Sequence, residues 1–525
     1  MSSPRISPVL LATLLLVGLS SGVVAPASYA QSARATADPA AARLYEAAQQ
    51  RLRTDAQAAA EELNLLVRQF PGDVLAPKAL SDLARLRIAQ RDEAAAEAVL
   101  DQLLADYPRS TEAASGFVMQ AELAAERAQS LEDLGEARTA YQRVVLLFGQ
   151  DTYPRLEGRS LARVRSAELG LLLGDVEGAV AELVQAIEDE PPSRVTGRAR
   201  LVLGRAFLLQ GRWTPAMEVL QTLADDVPRD ADGAILRGTD SPTASAADRA
   251  EAGNLLTLAH RHELRPLAGQ RRWVSTDRLG TELNLEEPIG VAADGSGQIL
   301  VVDKDAERVS LFRPENRTWE GRSLKDPVRP VFAGDAALVV SEEGVSLPFD
   351  GQRTTFLEPV AGKEKTLDRL LGAVRGRQGV FFVAAKGWDG LLVYPTPRRG
   401  SSILATNRAE YVDLDRDELG RVLTLDARNN RILRVGLDGR SAEVVASGDW
   451  KKPVAVARDA LDHVYVLDQG NRQVFVYDRD LRRIASLGPS LGAGIELRSP
   501  QDVAVDGSGR ILIADAKHPY LIALD

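Results

Sequence analysis

The sequence lacks cysteine altogether and is poor in aromatic residues, which make up 5% of its 525 positions. Without thiols the chain cannot form disulfides, carry out thiol catalysis or bind a metal through thiolates. It also cannot carry a lipid on a cysteine after an export signal. Only four histidines are present, so a histidine-rich metal centre has few candidate ligands. The fold must therefore be stabilised by packing, which a chain of this length permits.

An excess of positive charge is missing as well. The net charge is −10, from 64 basic and 74 acidic residues. The acidic excess lies mostly before residue 271, and the rest of the chain is close to neutral. Because a nucleic-acid-binding domain normally carries a basic surplus that neutralises phosphates, we expect no nucleic-acid partner. RNA binding through a local basic rim stays a weaker alternative.

Long apolar runs are also absent, because no segment reaches the roughly 20 residues of a membrane-spanning helix. Residues 1–30 have the pattern of a Sec-type signal peptide. Arg5 gives the positive start, residues 9–19 form a short apolar core, and Ser28 and Ala30 are small residues before a cleavage site. We predict cleavage after Ala30 and a periplasmic or secreted protein with no stable membrane insertion. An uncleaved N-terminal anchor is the alternative.

Residues 31–228 are rich in Ala, Leu, Arg and Glu, and their apolar positions follow helical spacing. A turn closes each helix pair about every 40 residues, and these turns are Phe70-Pro71, Tyr107-Pro108, Phe148-Gly149, Glu190-Pro191-Pro192 and Val227-Pro228. Two helices per unit of this length are typical of a solenoid, in which each unit buries its apolar face against the next. The sequence therefore predicts about five helix pairs. Residues 229–270 are interpreted as a linker and a capping helix.

From residue 271 to residue 525, short alternating segments rich in Val, Ile and Leu are separated by Asp/Gly turns, which predicts an all-β domain. One register, a turn acid followed by a strand that ends in Asp, recurs in four places. Two weaker units, 331–359 and 370–404, fill the longest interval, and six units of about 40 residues predict a six-bladed β-propeller. We expect segment 273–279 to pair with the last blade and close the ring. The four turn acids are Asp294, Asp417, Asp459 and Asp506.

The predicted fold class is thus multidomain, α plus all-β: an α-solenoid followed by a six-bladed β-propeller. The segment Leu171-Leu172-Leu173-Gly174-Asp175 resembles the helix–turn–helix of tetratricopeptide repeats (TPR). The aromatic–proline turns resemble the TPR variant of periplasmic and outer-membrane assembly proteins. The propeller segments that begin at Pro288, Pro453 and Pro500 resemble NHL repeats. Some propellers with this resemblance are lyases or lactonases that hold a metal in the central channel.

Two surfaces are candidates for binding. The loops after the second strand of each blade converge on one rim of the propeller, the upper rim, where polar side chains suit a peptide, a glycan or a protein loop. In the solenoid, the first helix of each pair lines the concave groove that usually holds partners, although solvated positions would have the same pattern. The upper-rim candidates are Lys304, Arg428, Asn430, Asn471, Arg472, Lys517 and His518. The groove candidates are Arg43, Lys78, Gln120, Arg163 and Arg200.

The titratable residues argue against an enzyme. We expect His463 and His518 at opposite rims, so no two propeller histidines can share a metal. The turn acids are expected to close hairpins through their own backbone. The run Asp413-Leu-Asp415-Arg-Asp417 lacks the Gly and Glu of a calcium loop and is interpreted as strand-edge acids. We therefore predict no catalytic residue, no metal and no cofactor, while an all-carboxylate calcium site in the channel stays open.

The predicted function is that of a non-enzymatic scaffold or adaptor of the bacterial cell envelope, which binds protein partners through the TPR groove and the propeller rim. The alternative is a propeller enzyme of the lyase or lactonase kind, or a glycan- or peptidoglycan-binding module, with the helical repeats as a docking arm. A channel with three or more polar groups around one point would favour the alternative. A plain channel of Val and Ala would count against it.

Overall fold

The computed structural model describes residues 37–52, 54–154, 156–227, 240–241, 243–264, 276–333, 336–341, 344–349, 353–356, 370–376, 380–388, 390–396, 399–403, 409–416 and 421–525. The predicted signal peptide, its cleavage after Ala30 and most of the predicted linker lie outside these residues. By its internal contacts the chain divides into two units, Met1–Val99 and Leu100–Asp525. Among the described residues, none of the helices combines the length and the hydropathy that crossing a membrane requires.

The first unit holds helices that are capped by aspartates and packed through leucines. The carboxylates of Asp38 and Asp55 accept hydrogen bonds from the backbone N–H groups that begin the first two helices, which satisfies donors that have no partner inside a helix. Leu63, Leu66 and Leu80 are buried. The helices are α1 (Pro39–Arg51), α2 (Ala56–Gln69), α3 (Ala76–Ala89) and the first part of α4 (Glu93–Asp106).

The second unit continues the helix pairs. Ser130 and Ser193 each begin a helix with a reciprocal capping box. Gly174 and Gly211, at φ of 87° and 69°, follow the first helix of their pairs in the left-handed conformation that glycine adopts without strain. The helices are α5 (Thr111–Arg127), α6 (Leu131–Leu147), α7 (Glu157–Leu172), α8 (Val176–Glu188), α9 (Arg194–Leu209) and α10 (Trp213–Ala224). Together with the pairs of the first unit, they confirm the predicted TPR-like repeats.

The last helix, α11 (Ala246–Leu264), packs against α9 and α10. Its residues Leu255 and Leu258 are buried in the same apolar cluster as the side chains of those two helices. The ring of His262 stacks on Trp213 with a centroid distance of 4.7 Å and an interplanar angle of 13°. This helix therefore covers the apolar face of the last helix pair.

The remaining chain forms a ring of six four-stranded antiparallel sheets, which confirms the predicted six-bladed propeller. In blades 1 to 5 the four strands follow one another in sequence. Blade 6 combines β24, β25 and β26 with β1, which comes before blade 1 in the chain. Sequence analysis assigned this closing role to residues 273–279, of which 273–275 lie outside the described residues.

The strands have the following bounds. Blade 6 is closed by β1 (Thr276–Leu279), blade 1 is β2 (Pro288–Ala293), β3 (Ile299–Asp303), β4 (Arg308–Arg313) and β5 (Thr318–Ser323), and blade 2 is β6 (Pro327–Ala333), β7 (Ala336–Ser341), β8 (Gly344–Leu347) and β9 (Arg353–Phe356). Blade 3 is β10 (Leu370–Arg375), β11 (Phe381–Ala385), β12 (Leu391–Thr396) and β13 (Arg399–Ile403), and blade 4 is β14 (Tyr411–Arg416), β15 (Val422–Asp426), β16 (Arg431–Val435) and β17 (Ala442–Ser447). Blade 5 is β18 (Pro453–Arg458), β19 (Val464–Asp468), β20 (Gln473–Tyr477) and β21 (Arg483–Leu487), a short hairpin follows as β22 (Ser490–Gly492) and β23 (Ile495–Glu496), and blade 6 ends with β24 (Pro500–Val505), β25 (Ile511–Asp515) and β26 (Leu521–Leu524).

The aspartates that end the second strands fasten each blade. Asp303, Asp426, Asp468 and Asp515 are at most 1% exposed. Each carboxylate accepts hydrogen bonds from backbone N–H groups just before the first strand of the same blade, as Asp468 does from Lys451 and Lys452 at 2.8 Å. The buried charge is thus satisfied by the loop that leads into the blade.

The turn acids close the hairpins between the first and second strands, as predicted. Asp294, Asp459 and Asp506 each accept a backbone N–H from the residue four positions later, at 2.7 to 3.1 Å. Asp417 lies outside the described residues. These hairpins form the lower rim of the propeller, opposite the upper rim.

Within the second unit the helices pack along the lower rim. Arg261 of α11 donates to the Ser508 carbonyl at 2.9 Å and pairs with Asp525 at 2.6 Å. Asn254 donates to the Gly295 carbonyl at 2.9 Å. Leu461, from the hairpin of blade 5, is buried in the cluster that contains α9, α10 and α11. The upper rim is the opposite end of the propeller from these contacts.

Candidate functional site

The predicted upper-rim residues fall into two groups. Arg428, Arg472 and Lys517 are exposed, and Lys304 lies 3.4 Å from Glu287 in an exposed ion pair. The side chains of the other three bond inside the protein, so they hold loops in place. Asn430 donates to the Trp450 carbonyl at 2.7 Å, Asn471 donates to Asp468 at 2.7 Å, and a ring nitrogen of His518 lies 2.8 Å from the Glu496 carbonyl.

The predicted groove residues all lie on the first helix of a pair, from α1 to α9. In the first unit Arg43 is exposed, and the Lys78 ammonium lies 5.1 Å from the centroid of the Tyr45 ring. In the second unit Gln120 donates to Asp101 at 2.9 Å, and Arg163 forms an ion pair with Asp189. Arg200 is half-buried and its charge helps to lower the pKa of Asp226. Two of the five side chains are therefore engaged with acidic neighbours.

A chain of ion pairs crosses the first helices of the second unit. Arg165 lies 3.3 Å from Glu122 and 2.9 Å from Glu168, and Arg198 lies 2.8 Å from Glu168. Burial acts to raise the pKa of Glu168, but the guanidinium groups of Arg198 and Arg165 lower it overall. This carboxylate is therefore ionised and joins α7 to α9.

The central channel of the propeller contains a buried salt bridge between three blades. Arg329 of blade 2 places its Nη1 2.9 Å from Asp413 Oδ2 in blade 4 and 2.8 Å from Asp502 Oδ1 in blade 6. Both aspartates are 3% exposed. A single guanidinium therefore holds two carboxylates, and the three residues come from alternate blades of the ring.

The same carboxylates cap the inner edges of neighbouring blades. Asp413 accepts the Val456 N–H of blade 5 at 2.8 Å, and Asp502 accepts the Val291 N–H of blade 1 at 3.0 Å. First strands have one edge without a partner strand, so their channel-facing N–H groups need acceptors. The network thus connects blades 1, 2, 4, 5 and 6.

The strand register explains why Arg329 can reach across. Every first strand has a shift in pairing after its first residue, and pairing resumes two residues later. At that position, three blades carry a charged residue and three carry a small one, which leaves room for the long side chain. A Cβ on Gly372 would lie 3.3 Å from Asp413 Oδ1. The six residues in chain order are Gly290, Arg329, Gly372, Asp413, Ala455 and Asp502.

Below this position Asp415 lies among Ala and Val side chains, and the lining also includes Arg416 and Arg458. The cavity there has a volume of about 190 Å³. Burial raises the pKa of Asp415 to about 6, although the charge of Arg458 acts to lower it. Burial also raises the pKa of Asp413 and of Asp502, against the effect of Arg329. The channel therefore favours the protonation of its carboxyl groups.

Among the described residues, no group of three or more His, Asp or Glu side chains is arranged to hold a metal ion. His463 lies at the lower rim, where its Nδ1 is 2.8 Å from Asp459 Oδ2, and His518 lies at the upper rim. Asp413 and Asp415 lie on strand β14 and not in a calcium-type loop. The channel is neither the plain apolar tube nor the three-ligand site that the sequence analysis set against each other.

Sequence reasoning missed Arg329 and Asp502. The signal was present, because each aligns with a small residue in the first strands of other blades. Blade 2 lacks the spacing between turn acid and second strand that the four clear units share, so its first strand was not aligned with theirs. In the first strands, the position of Arg329 and Asp502 is Gly or Ala in three blades. The charged residues at this position could have revealed the network from the sequence.

The helical region matches known families. Residues 37–185 match the model of the family YfiO, described as outer membrane lipoprotein, and residues 198–230 match a tetratricopeptide repeat. No curated protein sequence matches the chain.

Solved structures resemble this chain over about half of its length. Regucalcin from Agrobacterium tumefaciens, a calcium-binding protein, is 17% identical with a TM-score of 0.38, over 47% of this chain and 92% of its own. A gluconolactonase from Xanthomonas campestris is 14% identical with a TM-score of 0.38, over 47% and 90%. Virginiamycin B lyase from Staphylococcus aureus is 10% identical with a TM-score of 0.37, over 48% and 97%.

Proposed function

We propose that this protein is a non-enzymatic scaffold of the bacterial cell envelope, which binds protein partners through its TPR groove and the upper rim of its propeller. One contrast carries the proposal. The polar groups of the channel bond to one another, whereas Arg428, Arg472 and Lys517 stand exposed on the upper rim. Groups that are satisfied internally suit a structural role, and exposed cations suit recognition.

The predicted upper-rim candidates that remain exposed are all cationic. Asn430, Asn471 and His518 are used to hold loops, so they do not add neutral donors and acceptors to that surface. Arginine presents a rigid fork of donors that matches a carboxylate. This favours an acidic protein loop over a neutral glycan as the partner of the rim.

The envelope location is supported by two observations. Residues 37–185 match a family described as outer membrane lipoprotein, and residues 1–30 have the pattern of a cleaved export signal. We therefore place the protein in the periplasm or outside the cell.

The test is crosslinking in native cells with a photoreactive amino acid at position 428 or 472, followed by mass spectrometry. We expect a reproducible protein adduct. In the protein labelled at position 428, reversing the other two rim charges with Arg472→Glu and Lys517→Glu together should lower the adduct yield at least about tenfold, because like charges would then oppose an acidic partner.

The matched control reverses two exposed lower-rim arginines, Arg317→Glu and Arg482→Glu, and should leave the yield unchanged. A third arm, Arg43→Glu with Lys78→Glu, asks whether the groove binds a second protein. Absence of any reproducible protein adduct, or equal loss in the upper-rim and lower-rim variants, would overturn the proposal. Turnover of a lactone by the purified protein that is lost in Asp415→Asn would favour the enzyme alternative instead.

A further inference from the structure

The upper rim of the propeller carries opposite charge on neighbouring blades. Blade 1 lies beside blade 6, and blade 6 lies beside blade 5. We call the upper-rim acids of blade 1 the acidic sector and the upper-rim cations of blades 5 and 6 the basic sector. The acidic sector consists of Glu286, Glu287, Asp305 and Glu307. The basic sector consists of Lys451, Lys452, Arg472, Arg498 and Lys517.

The two sectors occupy equivalent positions of the repeat. In each of these blades the strand-ending aspartate accepts the N–H groups of two residues before the first strand. In blade 1 these residues are Glu286 and Glu287, which donate to Asp303 at 3.0 and 2.9 Å. In blade 5 they are Lys451 and Lys452, which donate to the corresponding aspartate at 2.8 Å. The same loop geometry therefore presents carboxylates in one blade and ammonium groups in the other.

The loop after the second strand shows the same reversal. Asp305 and Glu307 come two and four residues after the strand-ending aspartate of blade 1. Lys517 comes two residues after the aspartate of blade 6, and Arg472 comes four residues after that of blade 5. All four side chains belong to exposed residues. Because these loops converge on one rim, the two signs of charge lie side by side.

The acidic sector keeps a negative excess. Glu287 forms an exposed ion pair with Lys304 at 3.4 Å. A half-buried arginine at the end of the same loop is paired with the strand-ending aspartate, 3.2 Å away. In the described part of the chain, the carboxylates of Glu286, Asp305 and Glu307 form no ion pair. These three charges are therefore available to a partner.

The basic sector keeps a positive excess. Among the described residues, none of its five cations forms an ion pair, and the Lys452 ammonium donates to the neutral Gln469 at 2.5 Å. Two exposed acids, Asp449 and Glu496, lie in the segments that lead into blades 5 and 6, which is fewer than the cations. Charged groups of this kind attract a surface of opposite sign and repel one of like sign.

A partner with charge of a single sign fits only part of this rim. A polyanion bound along blades 5 and 6 is repelled by Asp305 and Glu307 on blade 1. The complementary partner carries acids opposite blade 6 and cations opposite blade 1. A second copy of this chain, turned to face the first, has that pattern, because its own blade 1 is acidic and its own blade 6 is basic.

Twofold symmetry makes the two contacts equal. A half-turn about an axis that lies between the two rims and passes between blades 6 and 1 places blade 6 of each copy on blade 1 of the other. In such an interface every contact occurs twice and the assembly is closed. Within the Leu100–Asp525 unit, helix α11 contacts the lower rim through Arg261 and Asn254, so it does not use the face that would pair.

We propose that two copies of this chain pair rim to rim, with the basic sector of each copy on the acidic sector of the other. The inference deepens the proposed function, since it names the partner of the upper rim, and it rests on that rim being a binding surface. In the pair, helix α11 of each copy lies on the outer side.

The test is sedimentation velocity of the purified full chain over a range of protein concentrations. At low ionic strength we expect an equilibrium between monomer and dimer. Added salt should raise the dissociation constant at least about tenfold, because screened charges attract one another less.

Charge reversal in one sector and then in both tests the specific pairing. Arg498→Glu with Lys517→Glu makes both sectors acidic, and Glu286→Lys with Asp305→Lys makes both basic, so each variant alone should sediment as a monomer. A mixture of the two variants should form mixed dimers. The chain that carries all four substitutions should dimerise again, because its sectors are complementary once more.

The matched control makes the same change in net charge on the lower rim. Arg317→Glu with Arg482→Glu should leave the dissociation constant of the dimer within about twofold. Circular dichroism of every variant checks that the fold is kept.

Four results would overturn the proposal: a monomer at all concentrations at low salt, a dimer that persists in both single-sector variants, failure of the four substitutions to restore pairing, or equal loss in the lower-rim control. The proposed function is judged separately by crosslinking at position 428. An adduct with a different protein, from a chain that sediments as a monomer, would keep the scaffold and reject the pairing. A dimer that gives adducts only with its own peptides would support the pairing and reject a foreign partner of the rim.

Discussion

The central channel and the cavity between helices α7 and α9 and the lower rim hold charge inside the same unit in different ways. In the channel, the single guanidinium of Arg329 is shared by the carboxylates of Asp413 and Asp502. In the cavity, arginines pair with different acids, as in the pairs Arg198–Glu168, Arg205–Glu251 and Arg458–Asp462. A carboxyl group can take up a proton near neutral pH, whereas arginine cannot lose one. Loss of one cation should therefore cost more in the channel, where two buried carboxylates depend on it, than in a region of separate pairs.

Arg458 belongs to both regions. It lines the channel and the cavity between α7, α9 and the lower rim, donates to the Arg416 carbonyl at 2.7 Å and acts to lower the pKa of Asp415. A change in the charge of Arg458 therefore alters the electrostatic potential in both regions. The predictions below separate the two regions, beginning with the largest expected effect.

Removing the cation from the channel should have the largest consequence. Arg329→Met leaves two buried carboxylates without a partner, and we expect the free energy of unfolding of the propeller to fall by about 3–5 kcal/mol. Urea denaturation followed by tryptophan fluorescence measures it. The control is Arg322→Met in the neighbouring blade 1, whose pair with Glu320 is exposed, and it should cost less than about 1 kcal/mol. Similar losses in both variants would contradict the structural role of the network.

The dependence of stability on pH should be the next largest effect. The pKa of Asp415 is about 6 in the folded protein, against about 3.9 in an unfolded chain. Between these values the folded state binds more protons, so this group makes the propeller less stable as pH rises from about 4 to about 6, with no further change above. Asp415→Asn should flatten that slope in denaturation curves taken across the range. Exposed Asp480→Asn is the control, and an unchanged slope in Asp415→Asn would show that Asp415 is not the group responsible.

The smallest effect tests the residue that connects the two regions. Arg458→Gln removes the positive charge that holds the pKa of Asp415 down, so that pKa should move upward and the decline in stability should extend above pH 6. Arg416→Gln removes a weaker influence on the same carboxyl and should shift the pH range less. The same denaturation series measures both. A larger shift in Arg416→Gln than in Arg458→Gln would reverse the assignment.

Much of the fold could be predicted because it is periodic. The turn acids and strand-ending aspartates repeat in register. Each accepts hydrogen bonds from backbone N–H groups of its own blade, as Asp468 and Asp506 do. The helix pairs were predictable for a similar reason, since turns such as Phe70-Pro71 recur at nearly constant spacing. Because the same residue types recur at the same spacing, a single sequence is enough to reveal the repeat.

The channel network could not be predicted in the same way, because its members act once and far apart in the chain. Arg329 and Asp502 are 173 residues apart, and neither belongs to a motif. The cavity between α7, α9 and the lower rim depends on contacts between helices and hairpins that belong to different repeats. Among the predicted rim residues, Asn430 and His518 have the polarity of ligands, but the local path of the loop directs them to backbone carbonyls. Their role in binding stays a prediction.

The pairing of β1 with β26 has a consequence for the order of events during synthesis. The strand β1, which closes blade 6, leaves the ribosome before any other strand of the propeller. Its neighbour in the sheet, β26, is the last of these strands to emerge. Until β26 is made, β1 has an unsatisfied edge, so the circle cannot be completed while the chain is still growing. A ribosome that stalls a few residues before β26 would therefore produce an open and aggregation-prone ring, and a nonsense mutation there should be as harmful as one many residues earlier.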